Sequence, residues 1–467
     1  MLLAVAFSAA AQEHRDTLIY DVDVITSPSA HLSIEARLTT MAAESVALTA
    51  PSASLPAGTE VEGLVATDDR GRPVPVLAAG DGYRVAAPPG GVRFRYRLDF
   101  QNGVALSSTG SGLNATHLYA VSRGIFVAPD PSTYDRERPY PSISVHFITP
   151  PGWHVITAWG VDEPDFTPAG SGALLGSTVA AAPDYRVLRD TVGGTVFVLA
   201  IRGERHFSDS ALERVIAASL RRSSETLGGV PVPRVTYTSD LGWKGRTSGS
   251  LQGRSSIGLI WEPGELLARA RIHDVFHETL HLWFGGVMDA ERWWTEGVTD
   301  YLAARLEAEW SGRPDDLADL CYQSLRNYER IERDTSMTMS EEQRENILGD
   351  NTTLLVYRKG MLAGLLLDAA IRRATDGAST LGDVARRLLA AASRDPGRRV
   401  SDAEIHDLAL EIGGPAVEPV WRQVVAGTSL IPEVEVTEAL RVVTGLPVAV
   451  PAPIAKEQKV LIGHPKP

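Results

Sequence analysis

His277-Glu278-Thr279-Leu280-His281 is the stretch that decides how this chain is read. Two histidines four positions apart on an α-helix stand about 40° apart around its axis, so both imidazoles leave one face and can meet at a single ion. The surrounding residues have helical character. Apolar positions recur at helical spacing from Pro263 to Trp283, a proline stands in the first expected turn, and Gly285-Gly286 supplies a stop. The spacing predicts a helix over 263–283 that offers His277 and His281 to one zinc ion. Glu278 sits beside them without being a ligand, where its carboxylate can take a proton from a water held by the ion.

Such an ion needs a third protein ligand. Shortly downstream, Trp293-Trp294-Thr295-Glu296-Gly297-Val298-Thr299-Asp300-Tyr301 opens a second expected helix. Glu296 is the candidate ligand. Asp300 lies one turn on and on the same face, where it can accept the other ring N–H of a ligating histidine and fix its tautomer. Two unrelated surface histidines flanking a glutamate would be the bland reading of the first motif, and the paired carboxylates of the second count against it. His273, one turn before His277, is a full turn away from the ion and reads as a surface group or a neighbour of a ligand. Trp283, Trp293 and Trp294 read as core or pocket wall.

These two segments resemble the gluzincin metallopeptidases, most closely the glycyl-aminopeptidase family and more distantly the aminopeptidase N family. Two more segments fit that resemblance. Tyr357-Arg358-Lys359-Gly360 is similar to the Y-x-K-G helix of the group, which implies that Tyr357 donates to the oxyanion of the tetrahedral intermediate. Gly249-Ser250-Leu251-Gln252-Gly253-Arg254 resembles the substrate-binding strand written G-G-L-E-H or G-A-M-E-N in these families. That makes Gly249, Gln252 and Arg254 candidate substrate contacts. Gln252 stands where the family glutamate reads a substrate's α-amine, and a neutral amide loses the charge-assisted part of that contact. Without the resemblance, Tyr357 would read as a core tyrosine and the Gly/Ser-rich stretch as a loop. The likeness spans roughly 185–440. Relatives in the glycyl-aminopeptidase group carry a PDZ domain after a stretch like Val424 to Leu440; the residues after Val442 are too few for one, so none is expected.

The 467 residues suit about two to four domains, and an apolar fraction of 44% gives each a core. With 45 Lys+Arg against 58 Asp+Glu the net charge is −13 and no basic run interrupts it, which excludes nucleic acid and anionic lipid surfaces as partners. The one cysteine excludes disulfides and cysteine-rich metal sites. Met1 to Gln12, MLLAVAFSAAAQ, resembles a short signal peptide cut after Ala11, so residues 1–11 are expected to be a leader and the protein to be exported, periplasmic or secreted. No other stretch approaches the ~18 apolar residues a membrane span needs. Short β-branched runs such as LIYDVDVI, VRFRYRLDF, SISVHFIT and TVFVLAIRG, separated by Gly/Pro turns, predict an antiparallel β domain over 12–205. Helical periodicity then dominates.

The expected class is therefore α+β multidomain: an N-terminal antiparallel β-sheet domain, a thermolysin-like α/β catalytic domain over 206–312 and a C-terminal helical domain over 313–441, with a Pro-rich tail from 442. The expected function is hydrolysis of peptide bonds with one zinc per chain, held by His277, His281 and Glu296, with Glu278 as general base and Tyr357 at the oxyanion. A peptide-binding protein that keeps this scaffold without turnover and a zinc hydrolase of another electrophile are the alternatives. Endopeptidase and aminopeptidase action both remain open.

Overall fold

The computed structural model describes residues 16–40, 45–51, 61–86, 88, 90–100, 112–134, 140–241, 248–332, 350–427 and 430–448. The expected leader and most of the expected tail lie outside the described residues. The chain divides into two compact units. One comprises 1–189, 197–205 and 234–265; the other comprises 190–196, 206–233 and 266–467.

The first unit is built of β-sheet. Its six-stranded sheet runs in the order Ser142–Ile148, Thr17–Ile25, His31–Thr39, Val92–Asp99, Val61–Thr67, Pro73–Val74. Alternation sets the faces: Leu18, Tyr20, Val22 and Val24 point into the core, while the residues between them are less buried. The sheet is antiparallel, as its turn-separated strands predict, except that Thr17–Ile25 and Ser142–Ile148 pair in parallel. Two four-stranded sheets accompany it. A further sheet, of five strands, has the order Arg186–Val192, Thr195–Ile201, Arg234–Leu241, Ser256–Trp261, Ser248–Gln252. Its parallel pair, Arg234–Leu241 with Ser256–Trp261, is nearly continuously buried, as a strand covered on both faces must be. Ser248–Gln252 pairs antiparallel with Ser256–Trp261 and forms the outer edge.

The second unit is helical. Asp209–Leu227 starts where Ser208 accepts a hydrogen bond from the Ala211 amide and stops at the left-handed Gly228. The histidine-bearing helix spans Arg269–Leu280 and so begins six residues later than Pro263. Pro263 and Gly264 instead make a turn closed by the Glu265 amide on the Glu262 carbonyl, and Gly264 takes a φ of +82° that a helix cannot contain. The helix also ends before Trp283. His281 caps it, and the chain folds back through Gly285, at φ +99°, whose amide donates to the Met288 carbonyl.

The segment expected to open as an α-helix at Glu296 opens as a wider turn. Trp293–Val298 is π-helical, with the Thr299 amide reaching back five residues to the Trp294 carbonyl, and Thr299–Ser311 continues as α-helix. Pro314–Glu332, Asp350–Ala374, Leu381–Arg394, Asp402–Gly413 and Glu433–Thr444 follow. Asp350–Ala374 lies against the π-helical turn at backbone contact. A Cβ on Gly297 would lie 2.4 Å from the Gly360 Cα, and one on Gly360 would lie 2.6 Å from the Trp293 carbonyl oxygen. Two glycines therefore let the Glu296 turn and the Tyr357 helix meet without side chains between them. Among the described residues no helix is long and apolar enough to cross a membrane.

Candidate metal centre

Four elements of the helical unit bring the sequence-read residues together. His277 and His281 project from the last turn of the histidine helix, Glu296 from the π-helical turn, Asp300 from the first turn of Thr299–Ser311 and Tyr357 from Asp350–Ala374. One ligand atom from each of His277, His281 and Glu296 falls within a sphere of mutual distances no larger than 4.8 Å. The two Nε2 atoms are 3.1 Å apart, and Glu296 Oε2 is 3.6 Å from His277 Nε2 and 3.5 Å from His281 Nε2. A tetrahedral ion with bonds of about 2.1 Å spaces its ligands about 3.4 Å apart, which is the spacing these three atoms have.

The tautomers suit that use. His281 Nδ1 lies 2.9 Å from the Phe284 carbonyl oxygen, which leaves its Nε2 lone pair facing the cluster. His277 Nδ1 lies 3.3 Å from Asp300 Oδ1 and is held in the same sense. Two imidazoles and a carboxylate, each oriented by a second contact, form the donor mix that zinc takes in sites keeping one position open.

Charge is arranged around this cluster. Burial alone would raise the Glu296 carboxyl, but its contacts with His277 and His281 hold it well below the usual carboxylate range. Asp300 is likewise held low, by His273 and His277 against the effect of burial. Glu278 goes the other way: burial raises its carboxyl and the nearby His281 and His277 offset this only in part. Of Glu278, Glu296 and Asp300 it is the one whose carboxyl is raised, and among the described residues its carboxylate makes no hydrogen bond. Tyr357 donates to Glu296 Oε2 at 2.5 Å and stacks on His277 with ring centroids 5.9 Å apart. Burial and the Glu296 charge push its hydroxyl well above its ordinary pKa, so it remains a neutral donor.

His273 is not a surface group. Its Nε2 lies 2.8 Å from Asp300 Oδ1, and contacts with Asp300 and Glu307 outweigh burial to raise its pKa to about 9. Glu307 and Arg358 also belong to this neighbourhood, at 3.7 Å from His273 Nδ1 and 3.5 Å from Asp300 Oδ2 respectively. Arg358 fills the variable position of the Y-x-K-G segment, and Glu307 lies outside the motifs, although it falls seven residues after Asp300 and so on the same helix face. Lys359 of the Y-x-K-G segment is fully buried and donates to the Gly427 carbonyl at 2.6 Å, a structural anchor for the helix that carries Tyr357.

Gly249, Gln252 and Arg254 lie in the β unit. Gly249 and Gln252 belong to the edge strand, Gln252 is buried with its amide nitrogen donating to Ser250 Oγ at 3.0 Å, and Arg254 is exposed in the hairpin turn. Gly253, which stands where the family motifs have His or Asn, has a φ of +59°, and a Cβ on it would lie 2.4 Å from the Gly176 carbonyl oxygen. No side chain fits there.

No family model matches the chain, and no curated protein matches it in sequence. Solved structures do match. An aminopeptidase N family protein from Idiomarina loihiensis superposes with a TM-score of 0.76 at 17% identity, covering 90% of this chain and 78% of that one. An M1 zinc metallopeptidase from Deinococcus radiodurans superposes with a TM-score of 0.61 at 18% identity, covering 90% of this chain and 95% of that one. The fold is that of the M1 zinc metallopeptidases. A mutant of the Deinococcus radiodurans enzyme bound to a Tyr-Ser-Ala substrate aligns over the same 90% of this chain at 18% identity, with a TM-score of 0.59. At these identities the likeness concerns the fold, which agrees with the α+β multidomain class read from the sequence.

Proposed function

We propose that the protein is an exported zinc-dependent peptidase whose catalytic residues lie in the helical unit's cluster. The observation that carries this reading is the convergence of His277 Nε2, His281 Nε2 and Glu296 Oε2 at ligand spacing, beside a Glu278 carboxylate with no hydrogen-bond partner among the described residues. His277, His281 and Glu296 would hold one zinc. When bound, the ion supplies Lewis acidity, lowering the pKa of water towards neutrality and polarising a scissile carbonyl. Glu278, with its pKa raised by burial, takes the proton of the attacking water and returns it to the leaving amine. Tyr357 donates its hydroxyl to the developing oxyanion, exchanging its bond to Glu296 for one that exists in the transition state. Asp300 keeps the His277 ring in its working tautomer.

Peptides are the substrate class this set of groups serves, and by motif alignment Gln252 stands where a substrate's α-amine is read. The catalytic segment is assigned to 206–312 and the helical domain to 313–441, with 1–11 as leader. The test is mass-spectrometric mapping of cuts in one peptide mixture, offered with free and with acetylated N-termini, with Glu278→Gln as the blank. Zinc-dependent cuts absent from the blank are expected. Internal cuts in the acetylated set identify an endopeptidase, and cuts confined to the first bond of free peptides identify an aminopeptidase. Cleavage by Glu278→Gln at the wild-type rate overturns the reading.

A further inference from the structure

The two histidines of the cluster are oriented by partners of different kinds. His281 Nδ1 faces a backbone oxygen, that of Phe284, which the helix end fixes in place. His277 Nδ1 faces a side chain, Asp300, which has two rotatable bonds and a competing attraction: Asp300 Oδ2 lies 3.5 Å from Arg358 Nη1. A carboxylate free to turn towards the arginine would release the His277 ring. Something has to hold it.

His273 is placed to do so. Its Nε2 is 2.8 Å from Asp300 Oδ1, the oxygen that also faces His277 Nδ1. Its other nitrogen, Nδ1, is 3.7 Å from Glu307 Oε2. Glu307 is 2% exposed. Neither His273 Nδ1 nor Glu307 Oε2 has a hydrogen-bond partner among the described residues, and His273 is the one basic side chain within 4 Å of Glu307 among them. A buried carboxylate is costly to leave alone, and at 3.7 Å the His273 ring is the charge partner that Glu307 faces. The row Glu307, His273, Asp300, His277 runs from one buried carboxylate through two imidazoles and a second carboxylate to the ion site.

We propose that His273 and Glu307 are positioning residues that clamp Asp300, and through it hold the His277 imidazole with its Nε2 lone pair aimed at the ion. This rests on the metal-centre reading given above. Glu307 fixes the His273 ring, His273 fixes Asp300 Oδ1 against the pull of Arg358, and Asp300 fixes His277. Asp300, directly behind a ligand, is the kind of partner that typically carries tenfold to hundredfold in metal affinity, and His273, acting through it, carries the lower end of that range.

The test is zinc affinity, measured by chelator competition on the full chain, with the absorption spectrum of the cobalt-substituted protein as a report on ligand geometry. Wild type binds one zinc, and His273→Ala weakens it about tenfold and shifts the cobalt bands. His273→Gln, whose amide can place an N–H where Nε2 stood, recovers most of the loss. Glu307→Gln, which keeps the shape, weakens zinc severalfold. In an Asp300→Ala background, His273→Ala costs nothing further, an outcome that a merely structural histidine would not give. Zinc held as tightly by His273→Ala and Glu307→Gln as by wild type overturns the clamp and leaves the metal centre standing, as does an undiminished cost in the Asp300→Ala background. A wild-type protein that binds no zinc overturns both. Should His273→Ala fail to fold, the near-isosteric Glu307→Gln and His273→Gln decide alone.

Discussion

Replacing Gly360 by alanine sets two well-known effects against each other. In an ordinary helix interior the exchange stabilises by about 1 kcal/mol, because alanine has less backbone freedom to lose. At this position, within Asp350–Ala374, the new methyl would lie 2.6 Å from the Trp293 carbonyl oxygen and 2.8 Å from the Gly297 Cα. Ordinary contact begins at 3.4 Å, so the π-helical turn and the helix must part by about 0.8 Å. Overpacking of this degree costs about 1–3 kcal/mol, which outweighs the propensity gain and leaves a net destabilisation of about 1 kcal/mol. Thermal melting of Gly360→Ala should fall by about 2–4 °C for a unit of this size. The separation acts on the site as well. Glu296 lies on one side of the contact and Tyr357 on the other, joined by a 2.5 Å hydrogen bond, and a shift approaching 1 Å costs on the order of 100-fold in turnover. Calorimetry and peptide hydrolysis on the same preparation check both figures. A Gly360→Ala protein that melts higher than wild type and cleaves at the wild-type rate would refute the reasoning, because the expected sign of the alanine effect would then hold and the glycine contact would constrain nothing.

Two further outcomes test other parts of the structure. His117 is buried against Arg202, with its Nε2 3.4 Å from Arg202 Nη2; burial first and the arginine second lower its pKa to about 4. The unfolded chain takes up this proton near pH 6.5 and the folded chain only near pH 4, so stability falls as pH drops between those values, by up to about 3 kcal/mol. Acid unfolding of His117→Gln should therefore have its midpoint at lower pH than wild type, and coincident curves would count against the burial argument. Gly253→Ala puts a side chain at φ +59° and 2.4 Å from the Gly176 carbonyl oxygen, which should destabilise the β unit by about 1–3 kcal/mol in denaturant titration; an unchanged midpoint would mean the hairpin turn can relax.

Much of this architecture was legible where local chemistry decides it. The β-branched runs between Gly/Pro turns mark strands because their alternation fits a half-buried sheet, and the paired histidines mark a face because helical geometry leaves no alternative. The start of the histidine helix was not legible, since Pro263 is as good a turn former as a first-turn residue and Leu266-Leu267 continue the apolar rhythm across a segment that is not helical. The π-helical turn at Glu296 has no sequence signature, because a backbone contact between Gly297 and Gly360, 63 positions apart, accompanies it. His273 was legible only as far as a choice between a surface group and a neighbour of a ligand, because its partners Asp300 and Glu307 are brought to it by a different helix.

The wide turn at Trp293–Val298 also sets a phase. It takes up one more residue than an α-helical turn would, and every side chain after it is rotated by about 100° relative to a regular continuation. Asp300, Tyr301 and Glu307 all lie downstream, and each meets a partner on another helix: His273 and His277 for Asp300, Asp368 for Tyr301, His273 for Glu307. Losing one residue from the turn would keep all of these amino acids in the chain and turn each away from its partner. The number of residues between Trp293 and Thr299 thus decides which partners Asp300, Tyr301 and Glu307 meet.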